Sequence, residues 1–149
     1  MKVIDYFSSD NKEYWLSKLG ESDWGAGQWL SGLLKARELK KLVGEGARVL
    51  MLVDGEELVS FCTLAERDDI PNTELTPWVG FLYTFPQYRG RRCAGELLAH
   101  AEALAREDGA VSLYISTNHI GLYEKYGYSF YKIMRDIEGE DSRVYTKAL

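Results

Sequence analysis

The sequence predicts a mixed α/β fold in which a mostly antiparallel sheet is flanked by helices. Three observations support this prediction: a hairpin signal joins two strand-like runs, a strand–helix–strand unit spans 78–116, and two further strand patterns close the chain. A strand–helix–strand unit of this length crosses over to a parallel neighbour. The sheet should therefore contain one parallel pair among antiparallel ones.

The first third of the chain predicts one strand and two helices. A short strand is expected at 2–7. The apolar residues that follow recur at intervals of three and four, which predicts helices at 11–19 and 26–43. Gly44 ends the second helix, because glycine commonly follows the last helical turn.

The middle of the chain changes to a strand period. The runs "ARVLMLV" and "ELVSFCTLAE" are joined through Asp54-Gly55, and this dipeptide readily adopts the positive φ of a tight hairpin turn. After a polar loop, "WVGFLYTF" is apolar on both faces, as expected of a strand buried in the middle of a sheet.

The second half alternates helices and strands. A helix is predicted at 92–107, where one apolar stripe faces a charged side. The run "AVSLYIS" alternates as a strand, and a short helix is expected at 119–126. The runs "YSFYKIM" and "SRVYTKA" then form two antiparallel strands. The predicted order is β-α-α-β-β-β-α-β-α-β-β.

The composition predicts one globular domain over residues 1–149. The chain is 46% hydrophobic and 28% charged, and its length matches one ordinary domain. No apolar run reaches the roughly 18 residues of a membrane span, and the start lacks a secretory signal, so no membrane association is expected. Cys62 and Cys93 lack CxxC spacing, which suits a reducing compartment and predicts a cytoplasmic location.

The charge balance argues against nucleic acid as a partner. Eighteen Lys and Arg against twenty-three Asp and Glu give a formal net charge of −5. Broad nucleic-acid binding normally needs a basic face. A cationic partner such as an amine is compatible with this balance.

A basic cluster nevertheless precedes the helix at 92–107. The first turn of a helix leaves backbone N–H groups without partners, and these groups attract phosphate. Small residues let a phosphate approach the backbone, and arginines add charge and forked hydrogen bonds. The alternative is a solvated basic loop before a core helix. The residues concerned are Arg89, Gly90, Arg91, Arg92, Ala94 and Gly95.

Two motifs identify the kind of phosphate ligand. Neither a GxxxxGK[ST] loop nor a GxGxxG dinucleotide motif is present. The run "PQYRG" at 86–90 resembles the acyl-CoA motif of the GNAT family of N-acetyltransferases, written Gln/Arg-x-x-Gly-x-Gly/Ala. Arg92 stands where this pattern has a small residue. Further on, "LYEKYGY" at 122–128 is similar to the family phrase "LYEKxGF", and the resemblance extends over roughly 47–149.

The resemblance implies a GNAT-like fold that binds acetyl-CoA as cosubstrate and needs no metal. The cofactor would lie where the strands at 78–85 and 110–116 separate, with its pantetheine arm along the first strand and its pyrophosphate at 89–95. The implied cofactor-binding residues are Leu82, Tyr83, Thr84, Arg89, Gly90, Arg91, Arg92, Cys93, Ala94, Gly95 and Asn118. Asn118 has the alternative role of capping the short helix.

The resemblance also implies a catalytic acid, and the base is less evident. Tyr123 occupies the position of the family's thiolate-protonating tyrosine. Glu66 at the end of the third strand, with Asp68 or Asp69 in the loop after it, could accept the amine proton. We select Glu66 and Asp69, and the alternative is a solvated acidic loop.

The resemblance implies that the acceptor is a primary amine on a small molecule or a protein, and the sequence does not identify it. Trp24, Trp29 and Trp78 are expected in the core, with an acceptor wall or a dimer patch as alternatives. Dimers are common in the family, so a homodimer is one option for the assembly. The rival functions are a non-catalytic acyl-CoA sensor and an interaction domain whose arginines contact an acidic partner.

Overall fold

Seven strands form one sheet in the computed structural model, which describes all 149 residues. The strands are β1 (Lys2–Asp5), β2 (Arg48–Asp54), β3 (Glu57–Ala65), β4 (Trp78–Thr84), β5 (Ser112–Ser116), β6 (Ser129–Arg135) and β7 (Asp141–Ala148). They lie in the order β1-β2-β3-β4-β5-β7-β6. Every neighbouring pair is antiparallel except β4 and β5, which confirms the predicted mixed sheet with one parallel pair.

Four α-helices cover the two faces of the sheet. They are α1 (Lys12–Gly20), α2 (Gly25–Lys35), α3 (Leu39–Val43) and α4 (Cys93–Glu107). Single 3₁₀ turns occur at Tyr6–Ser8, Pro86–Tyr88 and Tyr123–Tyr126. No helix has both the length and the apolar character needed to cross a membrane.

The strand β2 is buried on both faces, which explains its unbroken apolar sequence. Val49, Met51 and Val53 pack into the cluster that includes the apolar residues of α1, α2 and α3. Leu50 and Leu52 point the other way and pack into the cluster that includes α4. Since side chains alternate across a strand, successive residues of one strand contribute to two separate cores.

The predicted single helix at 26–43 is wrong, because the chain breaks between α2 and α3. Arg37 adopts a left-handed φ of 59° and its N–H donates to the Leu34 carbonyl at 3.1 Å. The Glu38 N–H donates to the Leu33 carbonyl at 2.8 Å. These two bonds form the Schellman ending of a helix, which usually needs glycine at the left-handed position. With arginine there, the sequence carried no signal for the break.

Two other predicted boundaries also change. The strand predicted at 2–7 stops at Asp5, whose carboxylate accepts a hydrogen bond from the Phe7 N–H at 3.1 Å and starts a 3₁₀ turn. The short helix predicted at 119–126 is only the 3₁₀ turn at its end. Before that turn, the Gly121 N–H donates to the Glu124 carboxylate at 3.0 Å.

A bulge in β4 separates this strand from β5. Between the pairs Thr63–Gly80 and Phe61–Tyr83, β3 has one residue and β4 has two. Phe81 is one of these two β4 residues, and its φ is 52°. Only Trp78 and Val79 at the start of β4 have a partner in β5. The two parallel strands therefore separate from Gly80 onward, because a bulge bends a strand and interrupts its pairing.

A partly buried ion pair fixes α4 to the end of the chain. The Glu102 carboxylate accepts from Lys147 at 2.9 Å and from the Tyr128 hydroxyl at 2.9 Å. Lys147 also donates to the Tyr126 carbonyl at 2.9 Å. Removing one partner of such a pair would leave a buried charge uncompensated. This network holds the 123–128 segment beside α4.

Candidate active site

The turn before α4 presents a row of free backbone N–H groups. The N–H groups of residues 90–95 make no hydrogen bond within the chain, and no side chain caps the helix. Gly90 and Arg92 both have left-handed backbone, with φ values of 80° and 59°. Unpaired N–H groups and the positive end of the helix dipole together favour an anion. We call residues 89–95 the cradle.

The cradle includes three exposed arginines, and each of them lies over an aromatic ring. The pairs are Arg89–Tyr83, Arg91–Tyr88 and Arg92–Tyr126, with guanidinium-to-ring distances of 5.5, 5.8 and 5.2 Å. Arg89 also donates to the Thr84 carbonyl at 3.0 Å. Such contacts limit the positions of long side chains. The three guanidinium groups of residues 89–95 are thus restricted by the rings beside them.

The small residues of the cradle have different reasons to be small. A side chain at Gly90 would meet no atom within 4 Å, so this face of the backbone is open. A Cβ at Gly95 would lie 2.5 Å from the Tyr126 ring, so this glycine admits an aromatic side chain of the "LYEKYGY" motif. Ala94 is half-buried beside it.

Cys93 contributes its backbone rather than its thiol to the cradle. The side chain is buried in the core, and its Sγ donates to the Tyr88 carbonyl at 3.7 Å. Burial raises the pKa of the thiol, with a further contribution from Glu96. A thiol in this state is a poor nucleophile.

A cleft of about 170 Å³ opens where β4 and β5 separate. Its lining comes from α2 and its approach, α3, the loop after β3, the strand β4, the end of β5, the 3₁₀ turn at Tyr123–Tyr126 and the β6–β7 loop. The lining residues include two carboxylates but neither Lys nor Arg. They are Trp24, Ala26, Trp29, Leu42, Val43, Asp68, Asp69, Val79, Gly80, Phe81, Leu82, Ile115, Ser116, Tyr123 and Ile137.

Tyr123 lines this cleft and is almost fully buried, with 6% exposure. Burial raises the pKa of its hydroxyl above the ordinary value, and the Cys62 and Asp68 groups raise it further. The phenol therefore stays protonated at neutral pH. A protonated phenol inside the cleft can donate a proton or a hydrogen bond.

Asp68 and Asp69 both line the cleft. A Cβ at Gly80 would overlap the Asp68 carboxylate, so the glycine provides the space that this carboxylate occupies. Burial raises the pKa of Asp68 to about 8, and the adjacent Asp69 charge adds to the shift. Burial also raises the pKa of Asp69, which the Ser116 hydroxyl opposes and the Asp136 charge increases.

The structure places the expected base Glu66 and the expected cofactor contact Asn118 outside the cleft. Glu66 is exposed and pairs with Arg67 at 3.2 Å. Asn118 accepts a hydrogen bond from the Arg143 N–H at 3.3 Å and does not cap the turn at 123–126. Neither side chain joins the cluster of Asp68, Asp69 and Tyr123.

The expected cofactor residues of β4 differ in their surroundings. Leu82 lines the cleft, whereas Tyr83 is buried in the cluster that includes the apolar residues of α1, α2 and α3. The Tyr83 hydroxyl donates to Asp23 at 2.6 Å, and burial raises its pKa. The Thr84 hydroxyl lies 2.9 Å from the Ser60 hydroxyl. No residue of β4 beyond Val79 pairs with β5, so this edge of the strand is free.

The expectation of a core position is wrong for two of the three tryptophans. Trp24 and Trp29 are 37% and 45% exposed, and both line the cleft. Trp24 stacks on the Tyr83 ring at 5.7 Å. Trp78 is 1% exposed and belongs to the core as expected. The first two tryptophans therefore form one wall of the cleft.

Comparison with known proteins agrees with this geometry. The profile described as "Acetyltransferase (GNAT) family" matches residues 6–128. No curated protein matches the chain at a significant level.

Several solved structures share the fold over nearly the whole chain. An aminoglycoside 6'-N-acetyltransferase complexed with coenzyme A has a TM-score of 0.70 and 17% identity, and the match covers 99% of this chain and 97% of that one. The Enterococcus faecium aminoglycoside 6'-N-acetyltransferase has a TM-score of 0.67 and 14% identity at the same coverage. A GNAT acetyltransferase from Elizabethkingia anophelis with acetyl-CoA bound has a TM-score of 0.68 and 14% identity, and the match covers 99% of this chain and 97% of that one. The family profile, the fold and the cleft agree: this chain belongs to the GNAT acetyltransferase family and is an acyltransferase.

Proposed function

We propose that the protein transfers an acetyl group from acetyl-CoA to a primary amine by direct attack in a ternary complex. The observation that carries this proposal is the row of free N–H groups at 90–95, which leads into a cleft containing a carboxylate pair and a protonated tyrosine. One end of this arrangement suits a phosphate and the other suits an amine.

The cradle fits the pyrophosphate of acetyl-CoA. The N–H groups at 90–95 lack partners, the face at Gly90 is open, and three arginines lie around it. Beyond the cradle, the free edge of β4 offers main-chain groups to the extended pantetheine arm, as an added strand would use them. The solved relatives with coenzyme A or acetyl-CoA bound support this assignment.

The cleft holds an acid and a base for the chemistry. We assign the base to Asp68, because its carboxylate lies in the cleft and its pKa is raised to about 8. Asp68 takes a proton from the acceptor ammonium, and the free amine attacks the thioester carbon. The new C–N bond replaces the C–S bond. Tyr123 donates a proton to the leaving sulfur and takes back the second proton that the attacking nitrogen loses as it becomes an amide. Glu66 and Asp69 are not needed for these steps.

A non-catalytic acyl-CoA sensor remains the alternative from another class. It would use the same cradle and would have no need of titratable groups in the cleft. The Asp68 and Tyr123 side chains favour catalysis over this alternative, because each has a strongly raised pKa next to the free edge of β4.

Calorimetry followed by an amine panel tests the proposal. We expect one acetyl-CoA to bind per chain and acetylation of at least one amine from a panel that includes aminoglycosides. Tyr123→Phe should lower kcat roughly 100-fold, which is typical of a lost general acid, with the acetyl-CoA Kd unchanged. Tyr114→Phe is the matched control, because this β5 tyrosine does not line the cleft. Binding without turnover of any amine would support the sensor.

A further inference from the structure

The cleft offers one anionic position. Asp68 and Asp69 are the only acidic side chains that line it, and no basic side chain does. Their carboxyl groups hydrogen-bond to each other, and the Ser116 hydroxyl also bonds to Asp69. Two carboxyl groups can share a hydrogen bond only while one of them keeps a proton, since an ionised carboxylate has no donor. The pair therefore balances a single ammonium.

The carboxylates around the cleft already have partners. The Asp136 carboxylate accepts from two N–H groups of its own loop, at 2.9 and 3.0 Å. Asp23 accepts from the Tyr83 hydroxyl at 2.6 Å, and Glu66 pairs with Arg67 at 3.2 Å. A second ammonium inside the cleft would lose water without gaining a charged partner, which is costly.

Most of the remaining wall is apolar and open to solvent. Trp29, Leu42 and Ile137 come from three different elements, and each is an exposed apolar side chain that lines the cleft. The Trp29 ring lies 5.6 Å from the Phe81 ring at an interplanar angle of 52°, so the two rings form an angled corner rather than a stack. Soluble proteins seldom expose such a group of apolar side chains unless it binds something. A third aromatic ring in this corner would contact both rings and remove apolar surface from water.

The volume of the cleft limits the acceptor to a small molecule. The cleft holds about 170 Å³, whereas sites for drug-sized ligands enclose roughly 300–1,000 Å³. The acetyl end of the cosubstrate would take part of this volume, because Tyr123 lines the same cleft. The remaining space suits one aromatic ring on a short alkyl chain better than a larger polycation.

We propose that the acceptor is an arylalkylamine, a primary amine with one positive charge and one aromatic ring. This inference rests on the proposed acetyltransferase function. The ammonium binds at the Asp68–Asp69 pair, and the ring packs against Trp29 and Phe81. These positions lie close together, because a Cβ at Gly80 would overlap the Asp68 carboxylate and Gly80 directly precedes Phe81. A polyamine or an aminoglycoside would leave ammonium groups unpaired, and a protein lysine brings no ring.

The test compares three primary amines at saturating acetyl-CoA: 2-phenylethylamine, 1-aminobutane and 1,4-diaminobutane. We expect kcat/KM for 2-phenylethylamine to exceed that of 1-aminobutane by about 10- to 100-fold, the range for an apolar group that fills a pocket. We expect 1,4-diaminobutane to be poorer than 1-aminobutane by about 10-fold or more, because its second ammonium enters an apolar cleft unpaired.

Variants of Trp29 test the position of the ring. Trp29→Ala should reduce the preference for 2-phenylethylamine over 1-aminobutane to less than about 3-fold by raising KM for the aromatic amine, and Trp29→Phe should keep most of it. Tyr131→Ala is the matched control, because Tyr131 is 47% exposed, as Trp29 is 45%, and lies outside the cleft. An unchanged acetyl-CoA Kd shows that each variant is folded.

Three results would overturn the inference while leaving the acetyltransferase function intact. They are equal kcat/KM for 2-phenylethylamine and 1-aminobutane, a preference for 1,4-diaminobutane or an aminoglycoside, and an aromatic preference that persists in Trp29→Ala. If acetyl-CoA binds but no amine is acetylated, the proposed function fails. Calorimetric titration of the amines into protein loaded with acetyl-CoA then decides the inference, since 2-phenylethylamine should bind measurably and 1-aminobutane should not. Absence of binding by 2-phenylethylamine would overturn it.

Discussion

The cofactor side and the acceptor side of this protein are built in different ways. The cradle is one continuous stretch, residues 89–95, and it offers backbone N–H groups whose direction depends on φ and ψ. The acceptor cleft is assembled from side chains on several separate segments, including the loop at 66–69 and the β6–β7 loop. A local backbone feature leaves a local sequence signal, whereas a cleft made of distant side chains leaves almost none.

The largest expected effect is on the cofactor side. Gly90→Val should raise the acetyl-CoA Kd by roughly 100-fold or more, because its side chain enters the open face and its φ of 80° is unfavourable for valine. Calorimetry measures the Kd. Gly139→Val is the matched control, since Gly139 has a φ of 79° and equally open surroundings in the β6–β7 loop. Similar losses of cofactor affinity in both variants would assign the effect to backbone strain.

A smaller effect is expected from a substitution that disturbs only the acceptor cleft. Gly80→Ala should lower kcat/KM for the amine by about 30-fold, because the new Cβ displaces the Asp68 carboxylate from its position. The acetyl-CoA Kd should not change. Steady-state kinetics and calorimetry together separate the two sides. Gly32→Ala, on the exposed face of α2, should change neither value, and a parallel loss of cofactor affinity in Gly80→Ala would show that the two sides are not independent.

The pH dependence of the free energy of unfolding tests whether Asp68, on the acceptor side, keeps a proton in the folded chain. The raised pKa of Asp68, about 8, means that the folded chain keeps a proton that the unfolded chain releases near pH 4. The free energy of unfolding should therefore fall as pH rises from about 4 to 8, by at most about 1.4 kcal/mol per pH unit. Asp68→Asn should flatten this decline in urea unfolding at pH 5, 6.5 and 8.

The control for this measurement is an acid with the opposite shift. Arg48 lowers the pKa of exposed Asp108 through a hydrogen bond of 2.8 Å, so Asp108 titrates below the pH range examined. Asp108→Asn should leave the slope between pH 5 and 8 as in the wild type. An unchanged slope in Asp68→Asn would mean that Asp68 is ionised in the folded protein at neutral pH.

The smallest effect concerns the departure from the family motif at Arg92. Its φ of 59° is the conformation that glycine adopts without strain. Arg92→Gly should raise the free energy of unfolding by about 1 kcal/mol and change the acetyl-CoA Kd by less than about 3-fold, because the N–H groups stay in place. Arg91→Gly, at a position without positive φ, should give no stabilisation. A large loss of affinity in Arg92→Gly would show that its charge, rather than the backbone, carries binding there.

The sequence predicted the fold class wherever short-range chemistry decides the structure. Asp54-Gly55 forms the predicted hairpin, with Gly55 at a φ of 62°, and the parallel pair of β4 and β5 follows the predicted crossover. The break at Arg37 could not be predicted, because hydrogen bonds rather than a glycine accompany its left-handed conformation.

The candidate site was predicted more fully on one side than on the other. The arginines and glycines of the cradle occur together in the sequence, and Tyr123 follows a recognisable phrase. The acids at 66–69 look equivalent in sequence, and only the fold turns Asp68 toward Gly80 and leaves Glu66 in solvent. The exposure of Trp24 and Trp29 likewise depends on how α2 packs over β4, which no local pattern encodes.

The double-sided burial of β2 also limits how the protein can be redesigned. Alternate residues of one strand support the helices beside the acceptor cleft and the helix that begins at the cradle. The cofactor side and the acceptor side therefore cannot be exchanged between proteins as separate modules. A chimera with its boundary in β2 would disturb the packing of both cores. New acceptor specificity is best sought in the loops at 66–69 and 136–140 and on the exposed face of α2, where substitutions leave the shared strands intact.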